Sequence, residues 1–310
     1  MIEIGVIIPF YQKNRGILRR SLESVLTQTG LGRVSVSVIV VDDGSPISAD
    51  EEIEGLVWSP PFSIDVIKSE NGGVARARNR GLDHAGSRFD YIAFLDSDDE
   101  WPATHLIDAI RSLEGGADFY FTDNSRQGFH ASHLGQSNGP MKTGLAHQDI
   151  LKNRLEVIAP NRMAELCLTD FPCQASTTVF RSSAARDLRF SERLKYSGED
   201  VLFFFELACR SRAVVCNPHS SVQCGTGVNM YFSNLNWDSE NYIYIKSNHL
   251  KLQIYIFNFR KSNIRLFCLN IKYMILCAGD YAFHLLRSIV KNGKSGLARA
   301  RGSLLDLCDI

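Results

Sequence analysis

The stretch that decides the fold is Val38–Ser45, which reads Val-Ile-Val-Val-Asp-Asp-Gly-Ser. Four consecutive β-branched residues are typical of a strand buried on both faces, as the strands of parallel sheets are. Two carboxylates follow where this strand ends, and Asp-Gly-Ser is common turn chemistry. In an open α/β sheet, ligands bind at the carboxyl ends of the strands. The stretch therefore predicts a parallel sheet with a polar site at one edge.

Other apolar runs in the first 125 residues have the same character, and segments of helical period separate them. The predicted strands are Ile4–Phe10, Val36–Asp42, Ile64–Ser69, Tyr91–Leu95 and Asp118–Thr122. The predicted helices are Ile17–Gln28, Gly73–Ala85 and Pro102–Leu113, and a helix over Glu199–Ser211 precedes a strand over Ala213–Cys216. This alternation predicts the α/β class, with a Rossmann-like, mostly parallel sheet flanked by helices.

Composition restricts the class of protein. The 310 residues are 45% hydrophobic and 22% charged, as in ordinary globular proteins. No secretion-signal pattern is visible, and no uncharged apolar run reaches the roughly 18 residues of a membrane-spanning helix. The eight cysteines have no metal-ligand spacing. We therefore expect reduced thiols in a cytoplasmic protein.

The net charge of zero hides an asymmetry along the chain. Residues 246–301 carry eleven Lys and Arg against one acid, which leaves 23 basic and 33 acidic residues elsewhere. One helix face there combines basic residues with a neighbouring apolar stripe: Lys261, Arg265 and Lys272, beside Ile264, Phe267, Ile271 and Met274. Such a helix suits an anionic membrane surface; packing on the protein body or oligomerisation are the alternatives. Because no recognised nucleic-acid module accompanies the charge, we expect no nucleic-acid partner.

The strongest candidate for chemistry is Phe94–Asp99, which ends in Asp-Ser-Asp-Asp directly after a predicted strand. Three carboxylates within four residues repel one another unless a cation or hydrogen bonds neutralise them. Mg²⁺ or Mn²⁺ binds carboxylate and phosphate oxygens together and offsets the charge of a diphosphate leaving group. The alternative is a helix N-cap at Asp98 or Asp99 before Pro102. Both can hold at once, with Asp99 capping and Asp98 ligating.

Two further stretches carry candidate groups. Asn71–Asn79 opens a helix with glycines and two arginines, and such a helix start suits a phosphate. Arg76 and Arg78 are two residues apart, so we expect only one of them to face the cleft. Ser197–Asp200 precedes an apolar helix, where its acids either cap the helix or supply a general base.

In their order along the chain these motifs resemble the family 2 glycosyltransferases, which have a GT-A fold. The motifs are Val6–Tyr11, Val40–Ser45, Asn71–Asn79, Phe94–Asp99 and Gly198–Asp200, and the resemblance covers residues 4–210. It implies an inverting, metal-dependent transfer of a sugar from a nucleotide-diphosphate donor, a UDP-sugar, to an acceptor hydroxyl. The chain lacks a Gln-x-x-Arg-Trp motif, which indicates a non-processive enzyme rather than a polysaccharide synthase.

The resemblance also implies roles for individual residues. Asp200 is the implied catalytic base, with Glu199 beside it at the acceptor site. Asp98 is the implied direct ligand of Mn²⁺ or Mg²⁺, and Asp96 completes the Asp-x-Asp motif. Asp42 is implied to contact the donor's base. The other predicted nucleotide-sugar-binding residues are Pro9, Phe10, Tyr11, Asp43, Asn71, Gly73, Arg78, Asp96 and Ser97.

We expect residues 1–235 to form the catalytic domain, with a nucleotide-binding half over 1–125 and an acceptor half over 126–235. Residues 236–310 are expected to form a helical, basic C-terminal region. The expected acceptor is a glycan or lipid-linked oligosaccharide, with peripheral attachment at the inner face of the plasma membrane. A catalytically inactive nucleotide-sugar-binding protein is one alternative. A sugar nucleotidyltransferase is another, although Pro9–Arg15 lacks the Gly-rich loop expected of one.

Overall fold

The computed structural model describes residues 1–126, 134, 156–225, 241–259 and 263–308. Within this part of the chain, strands form one eight-stranded sheet: β1 Ile2–Phe10, β2 Val34–Asp42, β3 Phe62–Lys68, β4 Tyr91–Phe94, β5 Phe119–Arg126, β6 Glu156–Ile158, β7 Thr178–Arg181 and β8 Val214–Cys224. The helices are α1 Ile17–Leu26, α2 Ala49–Ile53, α3 Val74–Ala85, α4 His105–Glu114, α5 Pro160–Thr169, α6 Glu199–Arg210, α7 Tyr242–Phe259 and α8 Ile264–Cys308. Lys261 of the predicted basic face, and much of the predicted acceptor half, lie outside the described residues.

The sheet is mostly parallel, as predicted. Its strand order is β3-β2-β1-β4-β7-β5-β8-β6, and the first four strands run parallel to one another. The short strand β7 lies antiparallel between β4 and β5, and β6 pairs antiparallel with β8 at the edge. The sequence pattern predicted neither β6 nor β7, because a three- or four-residue strand is defined only by its neighbours.

The continuous apolar run of β2 is buried on both faces of the sheet, as its sequence predicted. Val38 and Val40 join the core on one face, with α1 and α4. Ile39 and Val41 join the core on the other face, with α3, α5 and α6. Because both faces are covered by helices, the polar ends of the strands are the place where ligands can reach the sheet.

Several predicted boundaries are wrong for identifiable reasons. Helix α4 begins at His105 rather than at Pro102, and its N-cap residue is Thr104. Asp99 therefore does not cap this helix, and the capping alternative for the acidic cluster is incorrect. Strand β8 extends to Cys224, well beyond the predicted Cys216, because its second half pairs with β5 across a bulge.

The C-terminal helices pack on the body of the protein and on each other. At the start of α8, Arg265 forms an ion pair with Glu165 of α5 at 2.7 Å. Two members of the predicted apolar stripe are packed against the rest of the protein, as the packing alternative predicted: Met274 packs against α7 and Phe267 contacts Phe257. Of the described helices, α8 is long and apolar enough to cross a membrane by length and composition. Its backbone is non-helical at Gly293, where φ is +54°, so α8 consists of two helical segments joined by a kink.

His105 is a buried imidazole in the core beneath the acidic cluster. It is 0% exposed and stacks on Trp101 with ring centroids 4.5 Å apart. Neither of its ring nitrogens has a hydrogen-bond partner among the described residues. Burial lowers the pKa of His105 to about 3, because the charged form loses its hydration.

This burial makes folding stability sensitive to acid. The unfolded chain takes up a proton near the ordinary histidine pKa, whereas the folded protein does not, so stability falls as pH falls below about 6.5. Between pH 7.5 and pH 5 we expect His105 to account for a loss of about 2 kcal/mol in the free energy of unfolding. Urea unfolding of the wild type and of His105→Leu at both pH values measures this difference. The loss of stability between pH 7.5 and pH 5 should be smaller in His105→Leu than in the wild type, and it should be unchanged in a control variant at the exposed His219. An equal loss in His105→Leu and in the wild type would show that His105 does not cause the acid sensitivity.

Candidate functional site

The end of β2 is a pair of carboxylates that hold loops in place. Asp42 accepts hydrogen bonds from the backbone N–H groups of Ser45 at 2.8 Å and Ala49 at 3.0 Å. Asp43 accepts from the N–H groups of Gly72 at 3.0 Å and Gly73 at 2.8 Å. Asp43 thereby fixes the Asn71–Gly73 loop against the strand end. The predicted phosphate site at this helix start is consequently weakened, because the Gly73 N–H already has an anionic partner.

The end of β1 lies beside β2 and contributes one partly exposed residue, Tyr11, and two buried ones, Pro9 and Phe10. Tyr11 is partly exposed and remains a candidate for the nucleotide pocket, next to the buried Pro9. The side chain of Phe10, which the resemblance placed at the nucleotide sugar, is 1% exposed and packs in the core. The backbone of Phe10 links the ends of β1 and β2, because its carbonyl oxygen accepts a hydrogen bond from the Asp43 N–H at 2.9 Å.

Asp96–Asp99 form a tight turn directly after β4, and several groups fix its shape. The Asp96 N–H donates to the Ser176 hydroxyl at 2.9 Å. The predicted site residue Ser97 is 4% exposed, and its hydroxyl accepts from Nε2 of Gln12 at 3.1 Å. Ser97 thus helps to hold the turn in position. The partly exposed members of the turn are Asp96 and Asp98.

The turn concentrates negative charge, of which the Arg78 guanidinium balances a part. Burial, together with the charges of Asp96 and Asp98, raises the pKa of Asp99 to about 8. A divalent cation held by Asp96 and Asp98 would relieve this repulsion, and carboxylate oxygens are ligands that Mg²⁺ and Mn²⁺ favour. No group of three His, Cys, Asp or Glu side chains in the described part of the chain could hold a metal ion by itself. A cation held by Asp96 and Asp98 would therefore need diphosphate oxygens and water to complete its coordination.

Arg78 joins the acidic turn to the second cluster of acids. Its guanidinium is 4% exposed and pairs with Asp96 at 2.7 Å and with Glu199 at 3.3 Å. Arg76, two residues earlier, is exposed. Of the two arginines, Arg78 is therefore the one that contacts both groups of acids. Arg78 aligns two groups of carboxylates, which its sequence context did not indicate.

Glu199 and Asp200 open α6 behind Gly198. The φ angle of Gly198 is +94°, a conformation that residues with a side chain rarely adopt, so glycine allows the chain to enter the helix here. Asp200 accepts a hydrogen bond from the Val201 N–H at 2.8 Å. Burial and the neighbouring Asp200 raise the pKa of Glu199 to about 7. Burial also raises the pKa of Asp200, against the opposing charge of Arg78. These carboxyls are stronger bases than ordinary ones.

Helix α7 supports the turn that carries these two acids, a feature that the sequence pattern did not reveal. The Tyr196 N–H donates to Asn248 at 3.1 Å, and the Ser197 hydroxyl lies 3.1 Å from Nε2 of His249. Asn248 in turn donates to Asp306 of α8 at 3.3 Å. The C-terminal helices therefore help to fix the position of Glu199 and Asp200.

The end of β8 was also missed by sequence reasoning, and it contacts the Asp96–Asp99 turn. Gly225 donates its N–H to the Asp99 carboxylate at 2.9 Å, and Gln223 pairs with Glu100 through two backbone hydrogen bonds. A β-carbon at position 225 would overlap the carbonyl oxygen of Asp98. Only glycine permits this close approach.

A Gly225→Ala variant should therefore displace the Asp98 backbone. We expect an overpacking cost of about 1–3 kcal/mol and at least a tenfold weaker Mn²⁺-dependent binding of nucleotide. Calorimetric titration with UDP and Mn²⁺, beside thermal unfolding, measures both effects. Gly279→Ala is the matched control, because nothing lies within 4 Å of its added carbon. Wild-type Mn²⁺ dependence in Gly225→Ala would show that the close approach is unimportant for the site.

Comparison with known proteins identifies related chains. The model of glycosyl transferase family 2 matches residues 5–188. Succinoglycan biosynthesis protein ExoW of Rhizobium meliloti (strain 1021) is 34% identical over 236 residues, which cover 75% of this chain and 72% of that protein. Minor teichoic acid biosynthesis protein GgaA of Bacillus subtilis (strain 168) is 40% identical over 215 residues. That match covers 67% of this chain but only 44% of GgaA.

Solved structures share the fold over nearly the whole chain. TarS 1-349 of S. aureus in complex with UDP matches with a TM-score of 0.64 at 17% identity, covering 99% of this chain and 80% of that chain. Mannosyltransferase PcManGT from Pyrobaculum calidifontis in complex with GDP-Man and Mn²⁺ matches with a TM-score of 0.57 at 14% identity, covering 98% and 80%. At these low sequence identities, the similarity shows a shared fold and nothing more.

Proposed function

Because the chain belongs to glycosyl transferase family 2 and is a glycosyltransferase with a GT-A fold, we propose that it transfers one sugar from a UDP-sugar to an acceptor hydroxyl. The proposed reaction inverts the anomeric centre and depends on a divalent cation. The observation that carries this proposal is the contact of Arg78 with both the Asp96–Asp99 turn and Glu199. This contact supports the proposal because it brings Asp96, a candidate metal ligand, close to Glu199, the neighbour of the candidate base Asp200.

Each cluster has a separate task in the proposed reaction. Asp200 takes the proton of the acceptor hydroxyl, whose oxygen attacks the anomeric carbon from the face opposite the leaving group. The bond from that carbon to the diphosphate oxygen breaks as the new glycosidic bond forms, and UDP leaves. Burial supports the role of Asp200, because it raises the pKa of this carboxyl. Glu199 lies beside it at the acceptor side, held by Arg78.

Asp98 and Asp96 are the residues that would hold Mn²⁺ or Mg²⁺ in this site. When bound, such a cation offsets the negative charge that develops on the diphosphate. Arg78 keeps Asp96 in place and balances part of the charge of the acidic turn. Asp42, Pro9 and Tyr11, at the ends of β2 and β1, are proposed to contact the base and ribose.

The proposed acceptor is a growing cell-surface polysaccharide or a lipid-linked oligosaccharide in the cytoplasm. The names of ExoW and GgaA, which concern succinoglycan and teichoic acid biosynthesis, support this class. Residues 1–235 are proposed as the catalytic domain, with acceptor contacts in 126–235. Family membership sets aside the sugar nucleotidyltransferase alternative.

Calorimetry with a panel of nucleotide sugars, with Mn²⁺ and then with a chelator, tests the donor proposal. We expect one UDP-sugar to bind in the presence of Mn²⁺ and to lose its binding when the cation is removed. Binding of GDP-mannose alone would refute the UDP assignment. Release of UDP upon addition of acceptor separates an active enzyme from an inactive nucleotide-sugar-binding protein, which would bind the donor without turnover.

A further inference from the structure

Helix α8 presents a stripe of large apolar side chains to solvent. These residues are between 55% and 84% exposed: Ile275, Leu276, Phe283, Leu286 and Val290. Ile275 and Leu276 are adjacent, and the following spacings are seven, three and four residues, so all five lie on one side of the helix. The opposite side, with Met274 and Tyr281, packs against α7. The exposed stripe is therefore a feature of the surface that the packing of the described helices leaves uncovered.

Basic side chains border both ends of the exposed stripe. Lys272 lies one turn before Ile275, and Lys291 and Lys294 follow Val290. All three lysines are exposed. Over residues 272–290 an α-helix is about 27 Å long, so the stripe is a long, narrow apolar surface between positive charges. Lysines can extend their charged ends toward phosphate groups while the apolar side chains enter the lipid.

We propose that the exposed stripe of α8 docks in the plane of an anionic lipid bilayer. This proposal goes beyond the donor site and does not depend on turnover. The lysines favour an anionic lipid surface over a second copy of this chain, because the lysines that border the apolar stripe would repel those of a second copy.

In-plane binding fits the contacts of α8 better than a membrane-spanning orientation. Both segments of α8, before and after the kink at Gly293, form ion pairs with α7: Lys246 with Asp280 at 2.8 Å and Lys251 with Asp306 at 2.9 Å. A spanning α8 would carry these charges and the polar network of Asn248 into hydrocarbon, at a high cost in free energy. An orientation along the surface buries only the stripe and leaves the α7 contacts intact.

Flotation of the full chain with vesicles tests the proposal. One set of vesicles is pure phosphatidylcholine, and the other contains one third phosphatidylglycerol. We expect binding to the anionic vesicles only, with weakening at high salt and about a fivefold loss for each of Lys291→Gln and Lys294→Gln. A Phe283→Asp/Leu286→Asp variant should lose at least tenfold in binding.

Matched controls separate docking from misfolding. Val57→Asp removes a large apolar side chain that is 78% exposed elsewhere on the protein, and it should bind vesicles as the wild type does. Thermal unfolding and Mn²⁺-dependent UDP binding of the Phe283→Asp/Leu286→Asp variant should stay unchanged, because these side chains are exposed. Absence of vesicle binding, or binding that is unaffected by the stripe substitutions, would overturn the proposal. Stripe-dependent self-association in sedimentation, without vesicle binding, would assign the surface to a second copy instead.

Discussion

An Asp98→Ala variant will lose Mn²⁺-dependent binding of the nucleotide sugar and will turn over at least about 100-fold more slowly. Asp98 is partly exposed on the turn after β4, and we propose it as the direct metal ligand. Removing it leaves Asp96, already paired with Arg78, as the other proposed protein ligand. The cation would then have too few carboxylate oxygens to stay bound beside the diphosphate. Calorimetry and a UDP-release assay measure the two effects.

Stability distinguishes this effect from a loss of fold. Without metal, Asp98→Ala removes one of the charges that raise the pKa of Asp99, so the free protein should be at least as stable as the wild type. With Mn²⁺ and UDP, only the wild type should gain in melting temperature. Glu54→Ala, at an exposed acid outside the site, is the control. Metal-dependent binding that survives in Asp98→Ala would remove Asp98 from the ligand set.

An Asp200→Asn variant should bind donor as the wild type does and lose turnover by about 10²–10⁴-fold, because an amide cannot accept the proton of the acceptor. The substitution keeps the size of the side chain and an oxygen that can accept from the Val201 N–H. Donor affinity by calorimetry and UDP release with acceptor measure the two quantities separately. Loss of donor binding would show that Asp200 acts on the donor site instead.

Comparing the turnover of Glu199→Gln with that of Asp200→Asn tests which of the two carboxylates is the catalytic base. Glu199→Gln weakens one of the two ion pairs of Arg78, and we expect a smaller loss of turnover than in Asp200→Asn. Because burial raises the pKa of Asp200, the acidic limb of the wild-type pH–rate profile should lie above the pKa of an ordinary aspartate. This limb should vanish from the residual activity of Asp200→Asn. A larger loss in Glu199→Gln would transfer the role of base to Glu199.

Local patterns predicted the parallel half of the sheet well. Val38–Val41 form an uninterrupted apolar run, and only a strand with helices on both faces can bury such a run. The acidic groups follow β2 and β4 directly, so their place at the carboxyl edge of the sheet comes from the chain itself. The position of β7 between β4 and β5 could not be predicted, because a strand of four residues is too short to show a recognisable hydrophobic pattern.

The candidate site was predicted only in part. The acidic turn, Arg78 and the Glu199–Asp200 pair are brought together as the motifs implied. The motif pattern did not indicate that the side chains of Phe10 and Ser97 are buried, because burial depends on what packs against a side chain rather than on its place beside a motif. Gly225 and Asn248 were missed because they act on residues more than 50 positions away, through contacts with Asp99 and Tyr196.

The sequence by itself determined the sheet class, the identity of the acidic motifs and their position at strand ends, since these follow from local period and composition. Only the tertiary structure decided which carboxylates face one another, which are used to hold loops, and which pKa values are raised. It also decided which side of α8 is exposed, because α7 covers one stripe of that helix and leaves another uncovered. The physical reason is that charge interactions and burial depend on distance in space, which separation along the chain does not determine.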